Sequence, residues 1–193
     1  MKTQRLAFCF AALLAAGTAS VAEAENKYEE TRAVFEEAGA SGRFFANSYA
    51  YALFPTIGKG GIGIGGAHGK GRVYQGGRHI GDTSMTQVTV GFQLGGQAYS
   101  MVIFFEDERA LREFTSGNFE FGAQATAVAI TAGASASAST AGGATAGASG
   151  GRNDATTAGE YTKGLAVFTV AKGGLMYEAS LGGQKFSYTA VGG

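Results

Sequence analysis

Apolar and polar positions change their spacing along the chain, and each change marks an element. Over residues 25–51 the spacing is helical. Tyr28, Phe35 and Ala38 recur near the helical period, Glu29, Glu30, Arg32, Glu36 and Glu37 fill much of the rest, and Gly39 supplies a stop. A second short helix over about Ser41 to Tyr51 would bring Phe44, Ser48 and Tyr51 to one face, with Pro55 ending the region.

Beyond Pro55 the period becomes two. Val88, Val90, Phe92 and Leu94 alternate with Gln87, Thr89, Gly91 and Gln93, and after Gly95-Gly96 the alternation resumes at Tyr99, Met101, Ile103 and Phe105. This predicts strands joined by tight turns, because primed two-residue turns need positive φ and glycine reaches it without a Cβ clash. Further doublets stand at Gly76-Gly77, Gly173-Gly174 and Gly182-Gly183. Around the last two, Leu165, Val167 and Phe168 precede Leu175, Tyr177, Ala179 and Leu181, and Phe186 and Tyr188 follow. Between the two halves lies a helix near 107–116. Asp107 can cap it, Glu108 suits its positive end, Ala110, Leu111 and Phe114 form its apolar stripe, and Gly117 follows. The expected fold is α+β: an antiparallel β-meander curved into a sandwich or barrel-like sheet, with N-terminal helices and this one covering helix.

Composition refines that picture. The chain has 193 residues, 33 of them glycine, without the every-third-residue period of collagen. Residues 122–151 are almost wholly Ala, Gly, Ser and Thr. Phe119, Phe121 and then Ala123, Ala125, Ala127 and Ala129 suggest a strand entering this tract; residues 132–158 hold too little large apolar surface to offset the entropy of ordering and are expected to form a flexible loop. The remaining core suits a single domain over 25–193. With 15 basic and 15 acidic residues, charge gives no reason to expect a nucleic-acid partner.

Residues 1–24 read as a secretory signal peptide. Lys2 and Arg5 precede an apolar run from Leu6 to Ala16 that is too short to span a bilayer, and Ala22-Glu23-Ala24 is a cleavage signal, so Glu25 is the expected first residue of the mature chain. Cys9 lies inside this segment, which leaves the mature chain no thiol. The expected location is the periplasm or the cell envelope.

Catalytic motifs fail when their context is tested. Gly61-x-Gly63-x-x-Gly66 matches a dinucleotide fingerprint by letter, but strand-like residues follow it where a helix should open. Gly147-Ala148-Ser149-Gly150-Gly151 resembles a serine-hydrolase elbow inside low-complexity sequence. His68 and His79 have no Cys or acidic cluster at metal-ligand spacing and read as exposed strand or turn residues, while Glu106, Asp107 and Glu108 suit capping and solvation. No enzyme, metal or cofactor is expected. Charge is uneven, however. Residues 41–81 carry Arg43, Lys59, Lys70, Arg72 and Arg78 and no acid, with the aromatics Phe44, Phe45, Tyr49, Tyr51 and Phe54 nearby, whereas acids dominate on either side. A basic, aromatic-flanked segment is what an anionic lipid surface would bind.

Three stretches together resemble the SYLF lipid-binding domain family. They are Leu53-Phe54-Pro55 leading into Gly58-Lys59-Gly60-Gly61-Ile62-Gly63-Ile64-Gly65-Gly66; Gly91-Phe92-Gln93-Leu94-Gly95-Gly96-Gln97 running on to Phe104-Phe105; and Lys172-Gly173-Gly174-Leu175-Met176 followed by Ser180-Leu181-Gly182-Gly183-Gln184-Lys185. The likeness spans about 53 to 188. It implies a compact α+β domain that associates with lipids and brings no catalytic motif. The long Ala/Ser/Gly tract and the extra glycine in Lys172-Gly173-Gly174-Leu175 depart from the family pattern. The combined expectation is a non-enzymatic envelope protein that binds anionic phospholipid, with Arg43, Phe44, Phe45, Lys59, Lys70, Arg72 and Arg78 as candidate contacts. The rival readings are a small integral outer-membrane β-barrel or structural envelope protein, and an enzyme of unrecognised type around His68 or His79.

Overall fold

The computed structural model describes residues 22–38, 41–91, 96–121, 129–132, 161–172 and 183–192. The expected signal segment up to residue 21, the strand expected over 175–181, and the 132–158 loop apart from Ala132 lie outside them. Helix α1 covers residues 22–37, and α2 covers Gly42–Asn47. Seven strands follow, with one helix among them: β1 (Ala50–Gln75), β2 (Arg78–Gly91), β3 (Gly96–Phe105), α3 (Glu108–Thr115), β4 (Phe119–Glu120), β5 (Ala129–Ala132), β6 (Leu165–Lys172) and β7 (Gln184–Ala190). They form one curled sheet in the order β4-β7-β2-β1-β3-β6-β5, antiparallel except for the β5–β6 pair. This is the α+β half-barrel that the alternation pointed to.

Strand β1 organises the sheet. Its first half, residues 50–60, pairs with β3, and its second half, residues 63–75, pairs with β2. The two halves also lie against each other. A Cβ added at Gly69 would stand 2.8 Å from the Thr56 carbonyl oxygen, and one at Gly71 would stand 2.8 Å from the Leu53 carbonyl oxygen and 2.7 Å from the Phe54 ring. The bend between them is at Gly61, whose φ of 154° favours glycine and whose α-carbon faces Ile64 and Gly65. The chain returns to β2 through Gly76-Gly77, with φ of 55° and 76°, a two-residue turn with both positions left-handed, as the doublet predicted.

Three expectations change. The second helix stops at Asn47, because Ser48 is extended (φ −78°, ψ 150°) and the Tyr49 N–H donates to the Phe105 carbonyl at 2.9 Å, so Tyr51 belongs to β1. Pro55 lies within β1 rather than ending a region. The β1–β3 register skips from Phe54 to Ile57, and at this bulge no ladder donor is required of proline, while the Ser100 hydroxyl donates to the Pro55 carbonyl at 2.8 Å. Strands β2 and β3, expected to pair around Gly95-Gly96, instead flank β1.

Both faces of the sheet are apolar where helices cover them. Ala50, Ala52, Phe54, Ile57, Met101, Ile103 and Phe105 point into the curl and pack with Phe114, Phe119, Phe121 and Phe186. Helix α3 closes on this inner cluster through Ala110, Leu111 and Phe114. Its expected cap is present, with the Asp107 carboxylate accepting from the Ala110 N–H at 2.8 Å, and Gly117 follows in the left-handed region (φ 84°). The alternate residues Tyr51, Leu53, Val102, Phe104, Ala166 and Phe168 face outward and are covered by Phe35 of α1 and Phe44 of α2.

Past the helices, the middle of the outer face of β1, β2 and β7 is polar. It carries His68, Lys70, Ser84, Thr86, Lys185 and Ser187, paired in register across the three strands. An integral barrel needs an outward apolar band at these positions, and the described residues do not provide one. Among the described residues, no helix is long and apolar enough to cross a membrane.

Candidate functional site

The structure distributes the seven candidate contacts over three places. The first is α2. Phe44, only 5% exposed, is a core residue: it stacks on Phe104 at 5.3 Å and meets the Tyr161 and Phe168 rings at 5.1 Å each. Its side chain is therefore not on the surface. Phe45 is half-buried, edge-on to Phe104 at 4.8 Å and Tyr51 at 5.0 Å, with the Arg32 guanidinium 5.6 Å from its ring. Arg43 is exposed and sits over the Phe44 ring at 5.2 Å.

Arg72 is a fastener. It extends outward from β1 but is only 16% exposed, because α1 crosses it: Glu25 forms an ion pair with it, and the Tyr28 ring lies 4.4 Å from its guanidinium. Burial works against its charge, and hydrogen bonds to Glu25 and Tyr74 outweigh that, so the cation is held more firmly than usual. The same burial pushes the Tyr28 hydroxyl up to about 12, with Arg72 pulling the other way. Arg72 thus holds α1 on the sheet.

The three remaining cations stand apart on the sheet, one at each end and one on its outer face. Arg78 is exposed beside the Gly76-Gly77 turn. Lys59 is at the opposite, glycine-rich end, half-buried and in register with Gln97. Lys70 is exposed on the outer face opposite Ser84. A charge run that is continuous in sequence therefore does not make one patch. The bulge, the fold-back of β1 and the alternation of faces separate its members.

Sequence proximity also hid residues that the fold brings to Lys70. Lys185 of β7 lies opposite Thr86 of β2, and Ser187 lies opposite Ser84, their hydroxyls 2.7 Å apart. His68, exposed, meets the Thr86 hydroxyl at 3.2 Å. The signal for Lys185 was available in the alternation Gln184-Lys185-Phe186, but its partner strand is about a hundred positions away. The β1 glycines are accounted for by strand structure, since residues 50–75 are extended throughout and no helix opens after Gly66. His79 contacts Asp82 at 3.1 Å in β2, and among the described residues no three His, Cys, Asp or Glu side chains converge as metal ligands.

Comparison with curated proteins gives no match. A family model does match, over residues 86–189, from the middle of β2 to the end of β7. That span is more than half the chain and includes two of the three motif stretches. The chain belongs to the Ysc84 family, described as Las17-binding protein actin regulator, the family of the SYLF domain.

Proposed function

We propose that this protein is a non-enzymatic, lipid-binding protein of the cell envelope that associates with anionic membrane lipids through basic side chains on the outer surface of its sheet. The observation that carries this reading is Lys70. It is exposed on a sheet face that α1 leaves open, within a segment that has five cations and no acid, in a chain of the SYLF family. Each cation close to a charged bilayer contributes about 1 kcal/mol. Lys59, at the glycine-rich end, is a further contact, whereas Arg43 and Phe45 on α2 and Arg78 beside the turn lie toward the other end of the sheet. Arg72 serves by holding α1 and Phe44 by filling the core.

The export signal read in Met1–Ala24 supports the envelope location. For the same reason the actin regulation in the family's name is not carried to this chain, since an exported domain would not meet actin.

Flotation with liposomes of increasing anionic content tests the reading. Bound protein should rise with anionic fraction and fall as salt is added. Binding indifferent to both would remove the electrostatic basis, and no binding at any composition would remove the lipid.

A further inference from the structure

On the outer face of β1 and β2, two apolar side chains project beside the polar His68, Lys70, Ser84 and Thr86. Ile64 is 71% exposed and Val88 70%. Val88 is in register with Gly66, and Ile64 is two residues from Gly66 on the same face, so the two form one small patch. The patch is at the glycine-rich end of the sheet, away from the Gly76-Gly77 turn. Gly66 between them has no side chain to cover either one.

Behind the patch the face changes in a definite order. Lys185, opposite Thr86, stands two residues from Val88, about 7 Å along the strand, with His68 at the same level. Lys70 and the Ser84–Ser187 hydroxyl pair come next, about 13 Å behind Val88. On the three strands the first outward carboxylate is Asp82, about 20 Å behind Val88 and level with Arg72. Glu120, which pairs with Lys185 at 3.6 Å, lies to the side on β4. Apolar tip, cations one step back and hydroxyls beside them is the order in which a bilayer presents acyl chains, phosphates and the hydrated headgroup layer.

We propose that the glycine-rich end of the β1–β2–β7 face is the part that enters the membrane, with Ile64 and Val88 reaching the acyl boundary and Lys185 and Lys70 meeting lipid phosphates. This pose rests on the lipid-binding reading above and adds an orientation: the sheet meets the bilayer end-on, and α3 and the Gly76-Gly77 turn face away from it.

The chain contains no tryptophan, so a single introduced one is an unambiguous reporter. Ile64→Trp and Val88→Trp test the tip. Val191→Trp, at an exposed position near the turn end, and Val34→Trp, at an exposed position on α1, are the comparisons. With vesicles of mixed zwitterionic and anionic phospholipid, emission should move to the blue and be quenched by brominated acyl chains at positions 64 and 88 only. Ile64→Asp combined with Val88→Asp should weaken vesicle partitioning at least about tenfold while the thermal melt stays unchanged. Vesicle binding with the shift at position 34 or 191 instead of 64 and 88 overturns the pose and leaves lipid binding standing. Absence of vesicle binding by the unsubstituted chain overturns both. Should the double Asp variant fail to fold, the tryptophan reporters decide alone.

Discussion

The two halves of β1 belong to one strand, yet they follow different rules. Residues 50–54 are buried on both faces. Ala50, Ala52 and Phe54 face the inner cluster, while Tyr51 and Leu53 lie under α1 and α2. The second half is buried on one face only, and that face is built from Gly65, Ala67, Gly69, Gly71 and Val73. Its small residues are a consequence of the first half, whose backbone lies against Gly69 and Gly71. Large side chains fill space where helices cover the strand, and absent side chains make space where the strand covers itself. What remains outside, from Lys70 to Ile64, is free to meet a partner.

The largest expected effect is that of alkali, because it acts on several groups at once and mostly on the covered side. Burial pushes Tyr28, Tyr99 and Tyr161 up to about 12 from the ordinary 10.0. A raised folded-state value means that the fold favours the neutral phenol. The stability this contributes is complete below pH 10 and is lost as pH rises through about 12. Tyrosinate absorbance and far-UV circular dichroism should therefore change together across that window; full ionisation near pH 10 with the fold intact would contradict it.

Phe104→Ala comes next. The ring touches Phe44, Phe45 and Phe168 over the first half of β1, and its removal should cost about 3–5 kcal/mol in urea unfolding. Gly71→Ala probes the contact between the halves. Its methyl would meet the Leu53 carbonyl, so a loss of about 1–3 kcal/mol is expected. Gly66→Ala is the control on the same strand: its Cβ would be 3.5 Å from the Gln87 carbonyl, an ordinary contact, and the change should stay within about 0.5 kcal/mol. If the two glycines respond alike, the halves do not touch as described. Smallest of all, Lys70→Ser should leave the melting temperature nearly unchanged and lower liposome binding only, which separates the open face from the covered one.

Much of the fold is legible in the sequence. The α3 cap at Asp107, its apolar stripe and the stop at Gly117 are local, and so is the Gly76-Gly77 turn; local signals survive in sequence. The extent of β1 did not show, because the Gly58–Gly71 run has too few large residues to display alternation. Pro55 read as a break because proline cannot donate to a ladder, and only the skipped register at the bulge removes that objection. The outward cluster of Lys70, Ser84, Lys185 and Ser187 depends on the β2–β7 register, which no window of sequence contains. The basic run over 41–81 combined side chains that the fold places on α2, beneath α1, on the open outer face and at both ends of the sheet.

The pairing of β2 with β7 bears on how the chain acquires its shape. Gly81 meets Ala190, and Phe186, four residues before Ala190, completes the inner cluster. Everything between those two strands must be made before either can find the other. A nascent chain can close the β1–β2 turn early, but the interior stays unfinished until β7 emerges. Contacts this distant in sequence slow folding. If Met1–Ala24 acts as the export leader proposed above, that delay has a use, because a polypeptide that cannot finish its core until β7 has been made stays threadable until then.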